Sequence, residues 1–146
     1  MNKVILITGC SSGFGMLTAA KLAAAGHTIY ATMRNLQKQN ALMLELEQRD
    51  TMCQILHLDV TEDKSINKVI DIIEKQAGRL DVLINNAGYG IGGFFEDLLE
   101  DEIRSQFETN FFGVQKVTRS ALPLMRATAS KSGKDFSTKI INISSA

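Results

Sequence analysis

Residues 8–15, Thr-Gly-Cys-Ser-Ser-Gly-Phe-Gly, separate an apolar run from a helix-forming stretch and are suited to binding an anion. Glycines 9, 13 and 15 permit a tight turn and allow backbone N–H groups to approach a ligand closely. The N-terminus of the following helix adds unpaired donors and a positive dipole end, which favours a pyrophosphate as the ligand. The alternative is a glycine-rich turn that binds nothing. A Walker-type phosphate loop is excluded, because no Gly-Lys-Ser/Thr follows.

Three more polar features follow later apolar runs. Arg34 stands where a dinucleotide fold usually carries an acid for the ribose 2′-hydroxyl, and a guanidinium there favours a 2′-phosphate, hence NADP(H) over NAD(H). Asp59 is placed to accept a hydrogen bond from an adenine amino group, and residues 85–88, Asn-Asn-Ala-Gly, combine amides that can fix backbone with small residues that leave room for a ligand. Each feature also has a simpler interpretation: a solvated arginine, a helix N-cap and an Asn-rich turn.

The elements that must position these residues alternate regularly along the chain. Unbroken apolar runs predict strands that are buried on both faces, at residues 4–7, 28–33, 54–58, 82–84 and 139–143. Helices are predicted between them, at about residues 16–25, 37–48, 61–78 and 100–127, and Pro123 is expected to kink or loosen the last turns of the fourth. This order predicts an α/β fold with a doubly wound parallel sheet of Rossmann type, because right-handed crossovers place helices on both faces.

Length and composition predict one domain, residues 1–146, and exclude several classes of protein. Sixteen basic and sixteen acidic residues give zero net charge, which is unfavourable for binding nucleic acid. Two cysteines are too few for a disulfide framework or a zinc site, so no metal is expected. Only four apolar residues precede Thr8, which is too short for a signal-peptide core or a membrane span, so we expect a cytoplasmic protein.

In combination, these segments resemble the short-chain dehydrogenase/reductase family. The resemblance covers the whole chain and rests on TGCSSGFG at 8–15, LDV at 58–60, LDVLINNAG at 80–88, ETNFFG at 108–113 and IINISSA at 140–146. It implies a Rossmann-type sheet that binds NAD(P)(H) and supports hydride transfer between the nicotinamide and a small-molecule alcohol or carbonyl substrate. It also implies a homo-oligomer for the full-length protein.

The resemblance further implies roles for individual positions. The cofactor loop corresponds to Thr8, Gly9, Ser11, Ser12, Gly13, Phe14 and Gly15. The adenine pocket and the cofactor ribose correspond to Asp59, Val60, Asn86, Ala87 and Gly88. Asn110 corresponds to the catalytic asparagine, which holds a water in a proton relay, and Ser145 to the catalytic serine, with Ser144 as the adjacent alternative.

One part of the family pattern is missing. The general acid/base of the family is a tyrosine in a Tyr-x3-Lys pair beyond the serine, whereas Tyr30 and Tyr89 are followed four positions later by Arg34 and Gly93. We therefore expect an N-terminal piece of the fold, truncated after the fifth strand and without turnover by itself. An NADP(H)-preferring oxidoreductase is favoured over a non-catalytic nucleotide-binding module or degenerate relative, and a methyltransferase is less favoured still.

Overall fold

Five parallel strands form a sheet in the computed structural model, which describes residues 2–133 and 136–144. The sheet order is β3-β2-β1-β4-β5. The strands are β1 (Val4–Ile7), β2 (Thr28–Met33), β3 (Gln54–His57), β4 (Val82–Asn85) and β5 (Lys139–Asn142). This architecture confirms the predicted doubly wound α/β sheet of Rossmann type.

Helices cover both faces of the sheet. The α-helices are α1 (Gly13–Ala24), α2 (Asn40–Glu47), α3 (Asp63–Ala77), α4 (Glu100–Phe107) and α5 (Val114–Ser132). Helices α1 and α2 share one apolar core with the sheet, and α3 and α5 share the other, because alternate residues of the central strand point to opposite faces. Short 3-10 turns, Leu36–Lys38 and Phe95–Asp97, precede α2 and α4.

The chain reverses its direction of winding at β1. The chain winds from β1 through β2 to β3 on one side, and then crosses back to β4 and β5 on the other. Leu6 of β1 pairs with Tyr30 of β2 and with Leu83 of β4. Open α/β sheets bind ligands in the crevice at such a switch point, outside the carboxyl ends of the strands. The segments after β1 and β4 therefore flank the expected site.

The predicted helix over residues 100–127 is present as an unbroken helical stretch, but it is not a regular α-helix throughout and it ends later than predicted. Helix α4 ends at Phe107, a π-helical turn spans Glu108–Gly113, and α5 then continues past Pro123 to Ser132. The turn makes tertiary contacts through Asn110 and Gly113, which helical periodicity does not encode. Helix α1 also begins at Gly13, three residues earlier than predicted.

Across the described ranges, none of the helices is both long and apolar enough to span a membrane. The same part of the chain holds no group of three or more His, Cys, Asp or Glu side chains arranged for a metal ion.

Candidate functional site

A cleft of about 770 Å³ lies at the carboxyl edge of the sheet, between the segments that follow the strands. Its lining includes most of the predicted site residues: Gly9, Ser11, Ser12, Phe14, Arg34, Asp59, Val60, Asn86, Ala87, Gly88 and Asn110. Ser144 also lines the cleft, whereas Ser145 lies outside the described residues. Thr8, Gly13 and Gly15 are not part of the lining; Thr8 contributes through hydrogen bonds and Gly15 through close packing.

Thr8 and Asn86 connect the ends of β1 and β4. The Thr8 hydroxyl oxygen accepts hydrogen bonds from the backbone N–H groups of Asn86 and Ala87, both at 3.0 Å. The Asn86 side-chain amide donates in return to the carbonyl oxygens of Thr8, at 3.0 Å, and Gly9, at 2.9 Å. The two segments that flank the switch point are therefore fixed relative to each other before any ligand binds.

Two glycines make this approach possible. Gly9 has φ of +72°, and a Cβ at this position would lie 2.7 Å from Ala87 Cα. A Cβ at Gly15 would overlap the Gly9 carbonyl oxygen and the Asn86 side-chain amide. Any larger residue at either position would push the first loop away from residues 86–88.

The N-terminus of α1 offers unpaired donors to the cleft. Ser12 is the N-cap residue, with extended backbone, but its side chain makes no capping hydrogen bond, and the first turn carries no acidic side chain. The first N–H groups of a helix have no acceptor within the helix, and this end also carries partial positive charge. Because Ser11, Ser12 and Phe14 border the cleft, these donors and hydroxyls are available to an anionic group there.

Arg34 and Asp59 lie at the opposite side of the cleft from residues 86–88 along the sheet order. Arg34 follows β2 and is exposed. Asp59 follows β3, and its Oδ1 accepts from the Thr61 N–H at 2.9 Å and the Thr61 hydroxyl at 2.7 Å. Both of these hydrogen bonds use Oδ1 of the carboxylate. Asp59 thus forms a turn and is not the N-cap of α3, which is Glu62.

Asn110 lies in the π-helical turn and holds the loop that follows β4. Its Oδ1 accepts from the Tyr89 N–H at 3.0 Å, and its Nδ2 donates to the Tyr89 carbonyl at 2.7 Å. Gln106, four residues earlier, accepts from the Ile91 N–H at 3.1 Å through Oε1. Together these two amides fix the backbone of residues 89–91 along the cleft.

The same π-helical turn also contacts the segment after β3. A Cβ at Gly113 would lie 2.6 Å from Val60 Cγ2, so the turn packs directly on Val60. One turn into α5, the Lys116 ammonium donates to the Thr61 carbonyl at 3.0 Å. The π-helical turn and the start of α5 therefore support the cleft both at the segment that contains Asp59 and at the segment that contains Tyr89.

Two buried groups lie next to the site without lining it. Burial raises the pKa of the Cys10 thiol to about 12, so this cysteine of the glycine-rich loop is protonated at neutral pH. Asn85 is 3% exposed, and its Nδ2 donates to Thr118 at 3.1 Å and to Asn142 at 2.9 Å, which ties β4 to α5 and β5. Its Oδ1 has no hydrogen-bond partner among the described residues.

Sequence analysis did not identify Gln106 or Lys116 as supports of the site. The spacing of Gln106 and Asn110 was a usable signal, because residues four apart share a helix face. For Lys116 no local signal exists, since its partner Thr61 lies 55 residues away.

Comparison with known protein families gives a match over nearly the whole chain. The sequence profile of the short chain dehydrogenase family matches residues 3–146. A 3-ketodihydrosphingosine reductase of Bacteroides thetaiotaomicron is 42% identical over 143 residues, which is 98% of this chain and 47% of the relative. The uncharacterized oxidoreductase YusZ of Bacillus subtilis is 42% identical over 147 residues, 99% of this chain and 49% of the relative. The chain spans about half the length of these curated relatives.

Solved structures show the same architecture. A short-chain dehydrogenase from Streptomyces avermitilis aligns with a TM-score of 0.81 and 38% identity, over 99% of this chain and 50% of that one. An actinorhodin polyketide ketoreductase with NADPH aligns at 0.84 and 28% identity, over 99% and 53%. An NADH-dependent reductase complexed with NAD aligns at 0.81 and 27% identity, over 97% and 58%.

Proposed function

The chain belongs to the short-chain dehydrogenase family, and from that premise we propose that it binds a nicotinamide dinucleotide, NADP(H) in preference to NAD(H). In the full-length protein this supports an oxidoreductase that acts on an alcohol or carbonyl substrate. The observation that carries the proposal is the uncapped N-terminus of α1 at the edge of the 770 Å³ cleft. Similar structures contain NADPH or NAD, which supports a nicotinamide cofactor. The proposed preference for NADP(H) over NAD(H) rests on Arg34 alone.

The residues of the cleft fit the successive parts of such a cofactor. The donors of the α1 N-terminus, with Ser11 and Ser12, suit the pyrophosphate. Arg34 suits a 2′-phosphate, and Asp59 Oδ2 suits the adenine amino group. Ala87 and Gly88 are small enough for a ribose to lie against their backbone.

The chemistry has two contributors. The bound nicotinamide supplies or accepts the hydride. The protein must orient the substrate oxygen and move a proton: Asn110 contributes an ordered amide at the cleft wall, with its side chain fixed on Tyr89. We assign the hydrogen bond to the substrate oxygen to Ser145, with Ser144 as the neighbouring alternative. These roles follow the family resemblance, position by position.

We further propose that a polypeptide limited to residues 1–146 does not turn over substrate. Neither Tyr30 nor Tyr89 has a lysine four positions later. Tyr30 also donates to Gln76 at 3.2 Å, and burial raises its pKa, so this phenol is a poor proton donor-acceptor at neutral pH. The second candidate is a nucleotide-binding module without catalysis.

Cofactor binding and turnover together distinguish the candidates. Full-length protein should bind NADPH more tightly than NADH in isothermal titration calorimetry, and should oxidise NADPH in the presence of ketones. Binding without turnover in the full-length protein supports the non-catalytic module, and no binding of either nucleotide contradicts both. A cytoplasmic location and a homo-oligomeric full-length protein complete the proposal, and both are testable by fractionation and light scattering.

A further inference from the structure

Ser65, in the first turn of α3, does not line the cleft but bonds to a residue that does. Its side-chain oxygen accepts from the Asp59 N–H at 2.9 Å, and Ser65 is 8% exposed. Ser65 is thus a buried hydroxyl directed at the backbone of the one acidic residue in the cleft lining. We propose that Ser65 is a positioning residue for recognition of the adenine half of the dinucleotide, an inference that rests on the proposed function.

The hydroxyl of Ser65 has defined partners on both sides. Its oxygen already accepts from Asp59, so its own proton must be donated elsewhere. His57 Nδ1 lies 3.3 Å from Ser65 Oγ, and it accepts the hydroxyl proton when the imidazole carries its own proton on Nε2. Ser65 therefore has its rotamer fixed by His57 at the end of β3, and in turn fixes the start of the turn after β3.

Other contacts of this turn with the rest of the chain involve Thr61, which accepts from Lys116, and Val60, which packs on Gly113, whereas Ser65 bonds to the backbone of Asp59 itself. Thr61 bonds to Asp59 Oδ1, and the Glu62 N–H donates to the Asp59 carbonyl at 3.1 Å, so both bonds lie inside the turn and move with it. The bond to Ser65 joins Asp59 to α3, which is anchored in the core through Ile66 and Val69. Without it, the Asp59 N–H would lose its acceptor on α3, and an unsatisfied donor in this partly buried turn costs free energy.

The consequence is confined to one end of the cleft. Asp59 lies after β3, whereas Asn86 and Gly88 lie after β4, and two strands, β2 and β1, separate β3 from β4 in the sheet. The contacts that fix residues 86–88 come from Thr8 and Asn86 and do not involve Ser65. A change at Ser65 should therefore weaken the binding of adenine-containing ligands and leave the nicotinamide end unchanged.

The test compares ligands that share only one half of the cofactor. In full-length protein, Ser65→Ala should raise the dissociation constants of NADPH and ADP-ribose by about five- to twenty-fold, the effect of one lost buried hydrogen bond. Binding of reduced nicotinamide mononucleotide, which lacks the adenosine, should change less than two-fold. A merely structural role for Ser65 would weaken all three ligands alike, and unchanged binding of ADP-ribose would also overturn the proposal.

Two further variants make the result decisive. Ser65→Thr retains the hydroxyl and should restore ADP-ribose binding to near the wild-type value, whereas a loss equal to that of Ser65→Ala contradicts the proposal. The matched control is Ser132→Ala, which removes a serine bond to the Thr128 carbonyl in α5, away from the cleft. Failure of the wild-type protein to bind ADP-ribose or NADPH would instead overturn the proposed function, so the two failures are distinguishable.

A double-mutant cycle tests whether Ser65 acts through Asp59. If it does, Ser65→Ala should add little to the loss of ADP-ribose binding that Asp59→Ala already causes, because Asp59→Ala removes the carboxylate that Ser65 positions. Fully additive losses would show that Ser65 acts on the ligand by another route, and would contradict the proposal.

Discussion

Thr8 and Asn86 exchange hydrogen bonds across the switch point of the sheet, and each satisfies backbone groups of the other's segment. The threonine oxygen binds two N–H groups after β4, and the asparagine amide binds two carbonyls after β1. These four hydrogen bonds, called the Thr8–Asn86 lock below, all involve backbone groups at the ends of β1 and β4. They fix the shape of the cleft wall and do not use the other polar groups that line the cleft. Thr8 and Asn86 belong to segments that resemble cofactor-binding motifs, and in this structure their side chains join the ends of two strands.

The first prediction concerns this lock. Thr8→Val keeps the shape of a side chain that is 1% exposed but removes the acceptor for the Asn86 and Ala87 N–H groups. We expect the free energy of unfolding to fall by about 1–3 kcal/mol, because two partly buried donors lose their acceptor. Urea denaturation of the full-length protein measures this. Thr28→Val is the matched control, since Thr28 is exposed and its hydroxyl bonds to the exposed side chain of Asn2, and a loss there equal to that at Thr8 would contradict the argument.

The second prediction separates backbone strain from close packing in the glycine-rich loop. Gly9 and Gly13 both have positive φ, +72° and +57°, but only Gly9 has a neighbour within Cβ contact distance. Gly13→Ala should cost about 1 kcal/mol from strain alone, whereas Gly9→Ala should cost clearly more and weaken cofactor binding.

Thermal melting and nucleotide titration of the two variants check this ranking. Gly92→Ala serves as the control, because Gly92 has no neighbour within 4 Å and no positive φ. Equal destabilisation by Gly9→Ala and Gly13→Ala would show that the approach of Ala87 contributes nothing.

Much of the fold was predictable because it is encoded locally. The unbroken apolar runs at 4–7 and 82–84 predicted buried strands, and the stop at Gly78 is a left-handed cap with φ of +64°. The cleft residues were identifiable because strand ends converge at one edge of a parallel sheet. The sequence placed Gly15 in the predicted cofactor loop. In the structure Gly15 packs against Gly9 and Asn86, and this contact could not be predicted from the spacing of the glycines.

What the sequence did not predict depends on contacts between distant segments. The π-helical turn lies in a stretch with regular helical periodicity, and it is set by Asn110 bonding to Tyr89 and by Gly113 packing on Val60. Ser65 likewise reads as an ordinary residue of the first turn of a helix. Its function depends on His57 and Asp59, which a strand end brings to it.

The third prediction concerns alkaline pH. Burial raises the pKa of Cys10 from its ordinary 9.0 to about 12, and that of Cys53 to about 11. The buried thiols therefore contribute fully to the free energy of unfolding below pH 9, where they are protonated in both the folded and the unfolded state. Between pH 9 and pH 11–12 this contribution is lost, because the thiols ionise in the unfolded state but are still protonated in the folded state. The free energy of unfolding should fall over this interval by up to about 1.4 kcal/mol per pH unit for each thiol. The fall should be shallower in Cys10→Ala, and an identical slope would contradict the assignment.

The fourth prediction concerns an aromatic surface made of Phe107, Phe111 and Phe112, which are 58%, 52% and 47% exposed. The rings of Phe111 and Phe112 lie edge to face, 5.1 Å apart. Exposed apolar patches of this kind drive association, so a polypeptide of residues 1–146 should self-associate in analytical ultracentrifugation. Replacing all three by serine should shift it towards monomer, whereas Phe95→Ser, at a ring elsewhere that is 81% exposed, should not. A wild-type polypeptide that sediments as a monomer at high concentration would count against this surface.

The last prediction concerns the choice of cofactor. Arg34 is exposed at the cleft edge after β2, and a guanidinium binds a 2′-phosphate through charge-assisted bonds that NADH cannot make. In full-length protein, Arg34→Asp should lower the ratio of NADPH to NADH affinity by about ten- to a hundred-fold, because it removes an attraction and adds repulsion. Calorimetric titration with both nucleotides measures this ratio. Arg126→Asp makes the same charge change on α5, away from the cleft, and should leave the ratio as it is. If both variants change the ratio equally, the preference arises from the overall field of the protein and not from Arg34.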